Sequence, residues 1–114
     1  MHEYSIATSL LGMVEREAAP HPEARVLRVH LRIGAQAGVE VDLLRTAWEN
    51  VRRDGRCAAA ELVIAQPPVR WVCALCARPV PEGGPLRCPD CDVAARLEGG
   101  DELLLERVEL ELAT

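Results

Sequence analysis

Phenylalanine is absent from this 114-residue sequence, and aromatic residues together make up only 3% of it. A cofactor pocket walled by aromatic rings is therefore not expected, and Leu, Val and Ala must fill the interior. No apolar run reaches membrane-spanning length, and no charged segment followed by an apolar one opens the chain. Neither a membrane span nor a secretory leader is expected, which points to the cytoplasm. Excess positive charge is missing too. The formal net charge is −5, and an acidic surface repels phosphate backbones, so proteins or cations are expected as partners rather than nucleic acid.

Apolar material is ample, at 49% hydrophobic residues. A chain of this length hides roughly two thirds of its unfolded surface, enough for one domain carrying a smaller module. From Tyr4 to Ala19, Ile6, Leu10, Leu11, Met13 and Val14 recur at helical spacing, and Pro20-His21-Pro22 ends the pattern. Arg25 to Gly34 alternates, with Leu27, Val29, Leu31 and Ile33 inward and Arg28, His30 and Arg32 outward, as in a half-buried strand. After a loop from Gly34 to Gly38, the spacing of Leu44, Ala47, Trp48 and Val51 predicts a second helix from Asp42 to Arg53. Asp42 is its expected N-cap and Gly55 its expected C′ residue. Leu62 to Gln66 reads as a second strand closed by Pro67-Pro68, and Glu102 to Leu112 as a third, with Leu104, Val108, Leu110 and Leu112 on one face.

Between those last two strands lies Arg70 to Arg96, with four of the five cysteines and little hydrophobic bulk. Such a stretch needs a cross-link to fold. Cys73-Ala-Leu-Cys76 and Cys88-Pro-Asp-Cys91 supply one. Two residues between ligands let one tight turn aim two thiolates at a common point, and two facing turns close the sulfur tetrahedron that zinc prefers. Pro81, Gly83, Gly84 and Pro85 provide the turn that brings them together. With no secretory leader, metal ligation is a better reading of these cysteines than disulfides. Four protein thiolates leave no position for water or substrate, so the site is structural. Iron in a rubredoxin-like cage is the rival metal, and two unrelated thiol pairs the bland alternative. The residue after each second cysteine, here Ala77 and Asp92, often adopts a left-handed conformation in such turns. Alanine tolerates it poorly, so the first turn is expected to be strained or differently shaped.

Met1-His2-Glu3 opens the sequence. A terminal histidine is ordinarily a solvated residue. Yet Met1 is expected to be retained, because its removal requires a small second residue. A free amine, the next peptide nitrogen and the His2 imidazole then form fused chelate rings of the kind favoured by square-planar Ni(II) or Cu(II). Unperturbed histidine titrates near ~6.5, so metal binding through it should weaken as pH falls through that region.

Met1-His2-Glu3-Tyr4-Ser5-Ile6, Arg32-Ile33-Gly34, the paired C-x-x-C turns and Gly99-Gly100-Asp101-Glu102-Leu103 together resemble the HypA/HybF family of accessory proteins that insert nickel into [NiFe]-hydrogenase. The resemblance runs from residue 1 to about residue 112. It implies an α+β fold, two helices on a three-stranded mixed sheet with an inserted zinc-ribbon-like mini-domain. Residues 1–68 plus 99–114 would form the nickel-binding part and residues 69–98 the zinc-binding insert. It implies His2 and the backbone nitrogen of Glu3 as ligands for Ni(II) cargo, with Glu40 at the position of a looser acidic candidate. Cys73, Cys76, Cys88 and Cys91 would hold structural Zn(II). The implied protein is a metallochaperone rather than an enzyme, a monomer or weak homodimer. Its implied partners are a maturation GTPase and the hydrogenase large subunit.

The remaining candidates have plain readings. His21 is a loop residue, and His30 lies on the polar face of a strand. Cys57 is a small half-buried apolar residue, and Glu102, Glu106, Glu109 and Glu111 form a solvated strand face. Trp48 is core, and Trp71 is expected to pack over the sulfur cage. Two other functions compete with nickel delivery. A zinc-ribbon nucleic-acid module would need more than the weak positive balance of Arg70, Arg78, Arg87 and Arg96 over Glu82, Asp90 and Asp92. A metal-dependent hydrolase would need an open zinc position beside a base, which this pattern lacks.

Overall fold

The computed structural model describes residues 2–112. Helix α1 spans His2–Ala18, strand β1 Arg25–Ile33, helix α2 Val41–Val51 and strand β2 Glu61–Ala65. Strands β3 (Arg70–Cys73), β4 (Pro79–Val80) and β5 (Ala95–Gly99) follow, and β6 (Leu103–Glu111) closes the chain. The strands form two three-stranded sheets, in the orders β2-β1-β6 and β4-β3-β5. The chain divides into two compact units. One comprises residues 1–32, 39–65 and 104–114; the other, residues 33–38 and 66–103.

In the first unit β1 and β2 run parallel, from Arg28 opposite Glu61 to Arg32 opposite Ala65. Parallel neighbours need a crossover connection, and α2 is that crossover. Strand β6 borders β1 in the opposite direction. Its Glu109 meets His30 and Glu106 meets Arg32, so numbers rise along one strand as they fall along the other. The result is the expected mixed sheet carrying two helices. Its core is aliphatic apart from Trp48 and Cys57, with Ala7, Leu10, Val14 and Ala18 from α1, Val26, Val29 and Leu31 from β1, and Leu44 and Ala47 from α2. Buried Trp48 donates its indole N–H to the Ala60 carbonyl at 2.9 Å, which satisfies the ring's one polar atom.

Several local expectations change. Helix α1 begins at His2 rather than Tyr4, because Glu3 in its first turn suits the positive end of the helix dipole. Met13 is exposed, while the small Ala7 and Ala18 are buried. Leu27 is exposed and Val26 takes the inward position. Two outward residues in succession, Leu27 and Arg28, break the strict alternation in the way an extra residue breaks a strand's phase. Asp42 is not the N-cap of α2. It lies in the first turn, and the capping position is Glu40, whose backbone is extended. Gly55 is not C′ either: the helix ends on Arg52, and Gly55, at φ +81°, opens a separate 3-10 turn through Cys57. On edge strand β6, Val108 and Leu110 are half-buried as expected, but Leu104 is exposed and Leu105 takes an inner place, while Leu112 lies exposed just past the strand's end. Cys57 is fully buried, not half-buried.

In the second unit β3 pairs antiparallel with β4, Trp71 opposite Val80, and with β5, Cys73 opposite Ala95. Residues 33–38 join this unit through backbone bonds from Gly34 N–H to the Glu102 carbonyl at 2.8 Å and from Gln36 N–H to the Gly100 carbonyl. The two backbones approach so closely that a Cβ on Gly34 would lie 2.1 Å from the Gly100 carbonyl carbon. Neither neighbour can yield, since both are main chain. Gly34→Ala is thus expected to lower stability by about 2–3 kcal/mol, read as a drop in the denaturant midpoint at unchanged slope.

Candidate metal centre

The second unit is organised around sulfur. Each C-x-x-C segment folds into the same tight turn. Ala77 N–H donates to the Cys73 carbonyl at 3.0 Å and Asp92 N–H to the Cys88 carbonyl at 2.9 Å. The Cys73 N–H in turn donates to the Arg78 carbonyl, and the Cys88 N–H to the Val93 carbonyl. Inside the first turn the N–H groups of Leu75 and Cys76 point at the Cys73 sulfur, at 3.3 and 3.4 Å. Inside the second, Cys91 N–H points at the Cys88 sulfur at 3.5 Å. Both turns close with a left-handed residue, Ala77 at φ +62° and Asp92 at φ +52°. The first turn is therefore shaped like the second and carries its alanine in a strained conformation.

The turns face each other, and the four sulfurs of Cys73, Cys76, Cys88 and Cys91 lie within 4.8 Å of one another. Cys76 and Cys88 are 3.8 Å apart. A zinc–sulfur bond of about 2.3 Å sets tetrahedron vertices about 3.8 Å apart, so the spacing fits a zinc-ribbon-like cage. Thiol acidity fits it as well. The N–H of Cys76, helped by that of Leu75, holds the Cys73 thiol down at about 6. Hydrogen bonds with Cys76 and Cys73 push Cys91 up to about 12. Four sulfurs this close cannot all shed their protons unless a cation sits among them. Around the cage, Arg78 of the first turn pairs with Asp90 of the second, and Arg87 pairs with Asp92. Trp71 lies half-buried on β3 opposite Val80.

The amino-terminal candidates belong to the first unit. His2 is exposed, with 65% of its side chain accessible, and its Nδ1 lies 3.7 Å from Oε2 of Glu3. The same oxygen accepts the backbone N–H of Glu40 at 3.1 Å. That hydrogen bond is the largest influence holding the Glu3 carboxyl below its ordinary range. Thus the starts of α1 and α2 meet through the Glu40 N–H and the Glu3 carboxylate. Met1, the source of the expected amine, lies outside the described residues. His30 is engaged by Glu109 at 2.9 Å, and Arg28 shares that carboxylate. Glu106 pairs with Arg32. Cys57 donates to Glu15 at 3.6 Å, and burial foremost, with Glu15 second, pushes its thiol up to about 12. It lies outside the group of four cysteines whose sulfurs converge. The Glu3–Glu40 bond escaped sequence reasoning because it joins residues far apart in the chain. The resemblance offered Glu40 as a looser metal-ligand candidate, not as a partner of Glu3.

A family model described as hydrogenase/urease nickel incorporation, metallochaperone, hypA matches residues 1–110. The hydrogenase maturation factor HypA of Shewanella oneidensis is 36% identical, over 99% of this chain and 98% of its own. The factor of the same name from Wolinella succinogenes is 37% identical, over 97% of this chain and 96% of its own. Among solved structures, a HypA protein determined in solution superposes with a TM-score of 0.77 at 26% identity, covering 99% of this chain and 98% of that one. The nickel metallochaperone HypA from Helicobacter pylori shares the fold, with a TM-score of 0.69 at 24% identity over 97% of this chain and 98% of its own.

The strain at Ala77 is open to measurement. A left-handed alanine costs about 1–2 kcal/mol that glycine does not pay. Ala77→Gly should therefore make the metal-loaded second unit more stable by about 1 kcal/mol, despite glycine's larger unfolded-state entropy. Asp92→Gly should gain less, since aspartate tolerates the conformation better. Chelator-challenge midpoints for the three proteins give the ranking directly.

Proposed function

The chain belongs to the HypA family of nickel-incorporation metallochaperones, and from that premise we propose how its two units divide the work. The protein is a nickel metallochaperone of hydrogenase maturation. It acts by holding and releasing a metal ion rather than by catalysing a reaction. Residues 69–98 serve as the zinc module, and residues 1–68 with 99–114 as the nickel-binding body.

Cys73, Cys76, Cys88 and Cys91 hold Zn(II), which when bound supplies the cross-link of the small unit. Their spacing, their N–H···S bonds and their all-thiol donor set support this assignment. Because the cage is closed, nickel must be carried elsewhere. The observation that carries the reading is the position of His2 and Glu3 in the first turn of α1. The first N–H groups of a helix have no acceptor within it, so each can release its proton to solvent and bind a metal through the amide nitrogen without breaking a hydrogen bond of the helix. The exposed His2 imidazole stands beside them. Nickel is thus taken as cargo by the His2 imidazole together with the backbone nitrogens of His2 and Glu3, and by the Met1 amine where that is free. Glu40, brought alongside by Glu3, is a supporting carboxylate. The partners are a maturation GTPase and the hydrogenase large subunit, met in the cytoplasm by a monomer or weak homodimer with no preference for nucleic acid.

Calorimetric nickel titration of zinc-loaded protein with an untagged terminus tests this. His2→Ala should weaken nickel binding at least about 100-fold, the upper range for losing even an outer partner of a ligand, with zinc content unchanged. Proton and nickel compete for the same imidazole nitrogen, so affinity in the parent should fall as pH falls. Parent-like nickel binding by His2→Ala would refute the proposed site.

A further inference from the structure

Helix α2 starts with an incomplete cap. Glu40 occupies its N-cap position, yet its side chain makes no capping hydrogen bond. In a capping box, a Glu or Gln three residues into the helix reaches back to the N–H of the capping residue. That place in α2 holds Leu43, which has no acceptor. The missing acceptor comes from the other helix instead: Oε2 of Glu3 takes the Glu40 N–H at 3.1 Å. A carboxylate is favoured there by the dipoles of both helices, whose starts meet at this point. The same oxygen lies 3.7 Å from Nδ1 of His2, beyond hydrogen-bond reach. The Glu3 side chain is mostly covered, at 13% exposure, whereas His2 stands in solvent. The covered carboxylate ties the first turn of α1, which carries His2, to the start of α2.

We propose that the Glu3 carboxylate is the positioning residue of the cargo site, a capping acceptor lent by α1 to α2 that holds the first turn of α1, with the His2 and Glu3 amides, against the start of α2. This deepens the function proposed above and rests on it. The role is distinct from that of the Glu3 backbone nitrogen, which any residue at this position would supply. It is also distinct from simple helix stabilisation, because it predicts an effect on nickel with the fold intact.

Four single variants and one double variant of zinc-loaded protein, titrated with nickel alone, separate these roles. Glu3→Ala should bind nickel about 10–100-fold more weakly, the range for losing an outer partner of a ligand, with zinc content and helical circular dichroism unchanged. Glu3→Gln keeps an oxygen acceptor and should recover most of the loss. Glu40→Ala removes that side chain but keeps the N–H, whereas Glu40→Pro removes both, so their difference reads the N–H alone. Glu40→Pro should bind more weakly than Glu40→Ala, and adding Glu3→Ala to it should cost nothing further. In nickel-free protein, the amide resonance of Glu40 should move upfield in Glu3→Ala. Parent-like nickel affinity in Glu3→Ala, or equal affinity in Glu40→Pro and Glu40→Ala, would overturn the proposal, as would nickel losses that track lost helicity. If His2→Ala abolishes binding while Glu3→Ala does not, the cargo site stands and only this inference falls. If His2→Ala binds like the parent, both fall.

Discussion

Four sulfur atoms converging within 4.8 Å are the constraint on which the second unit depends. Its buried side chains are Ile33, Val72, Val80 and two of the cysteines themselves, Cys73 and Cys88. Three buried aliphatic side chains are too small a core to order a unit of this length. A structural metal ion held by four thiolates supplies the cross-link that apolar burial does not. The short β3, β4 and β5 strands are consequences of the cage, arranged to deliver two turns face to face.

The first unit is built the other way. Its core of Leu, Val and Ala around Trp48 needs no metal, so it can hold a helix start at its surface in a set position. This division matters for a carrier. A closed thiolate cage exchanges its ion slowly and has no vacancy for cargo. In the proposed nickel site, an exposed imidazole beside free helix amides would be accessible to a donor and an acceptor alike, with a proton competing for it. Under that proposal the two sites use opposite chemistry because they have opposite tasks: one keeps its ion, the other hands it over.

The cage was legible in the sequence because its ligands are local. Two residues between cysteines and a Pro-Gly turn between the pairs nearly dictate the geometry, and even the left-handed backbone at Ala77 and Asp92 could be read from position. The helices and the three long strands were legible from periodicity. What failed was phase and capping. Leu27 and Val26 are both aliphatic, so nothing in composition marks where the β1 alternation slips. Asp42 is the better intrinsic cap than Glu40, but Glu3 supplies from outside the helix what a local rule assigns to the cap's own neighbours. Leu104 sits near the start of an edge strand and Leu112 just past its end, where an apolar residue has no partner to cover it. Only at the α2 cap does a tertiary contact override a local preference.

X-ray absorption at the zinc and nickel edges of protein carrying one equivalent of each metal tests the account most directly. The zinc edge should report four sulfur neighbours at about 2.3 Å. The nickel edge should report only nitrogen and oxygen neighbours, with the multiple-scattering signature of an imidazole. Sulfur around nickel, or a zinc shell containing nitrogen or oxygen, would contradict the separation of a closed structural cage from an open cargo site.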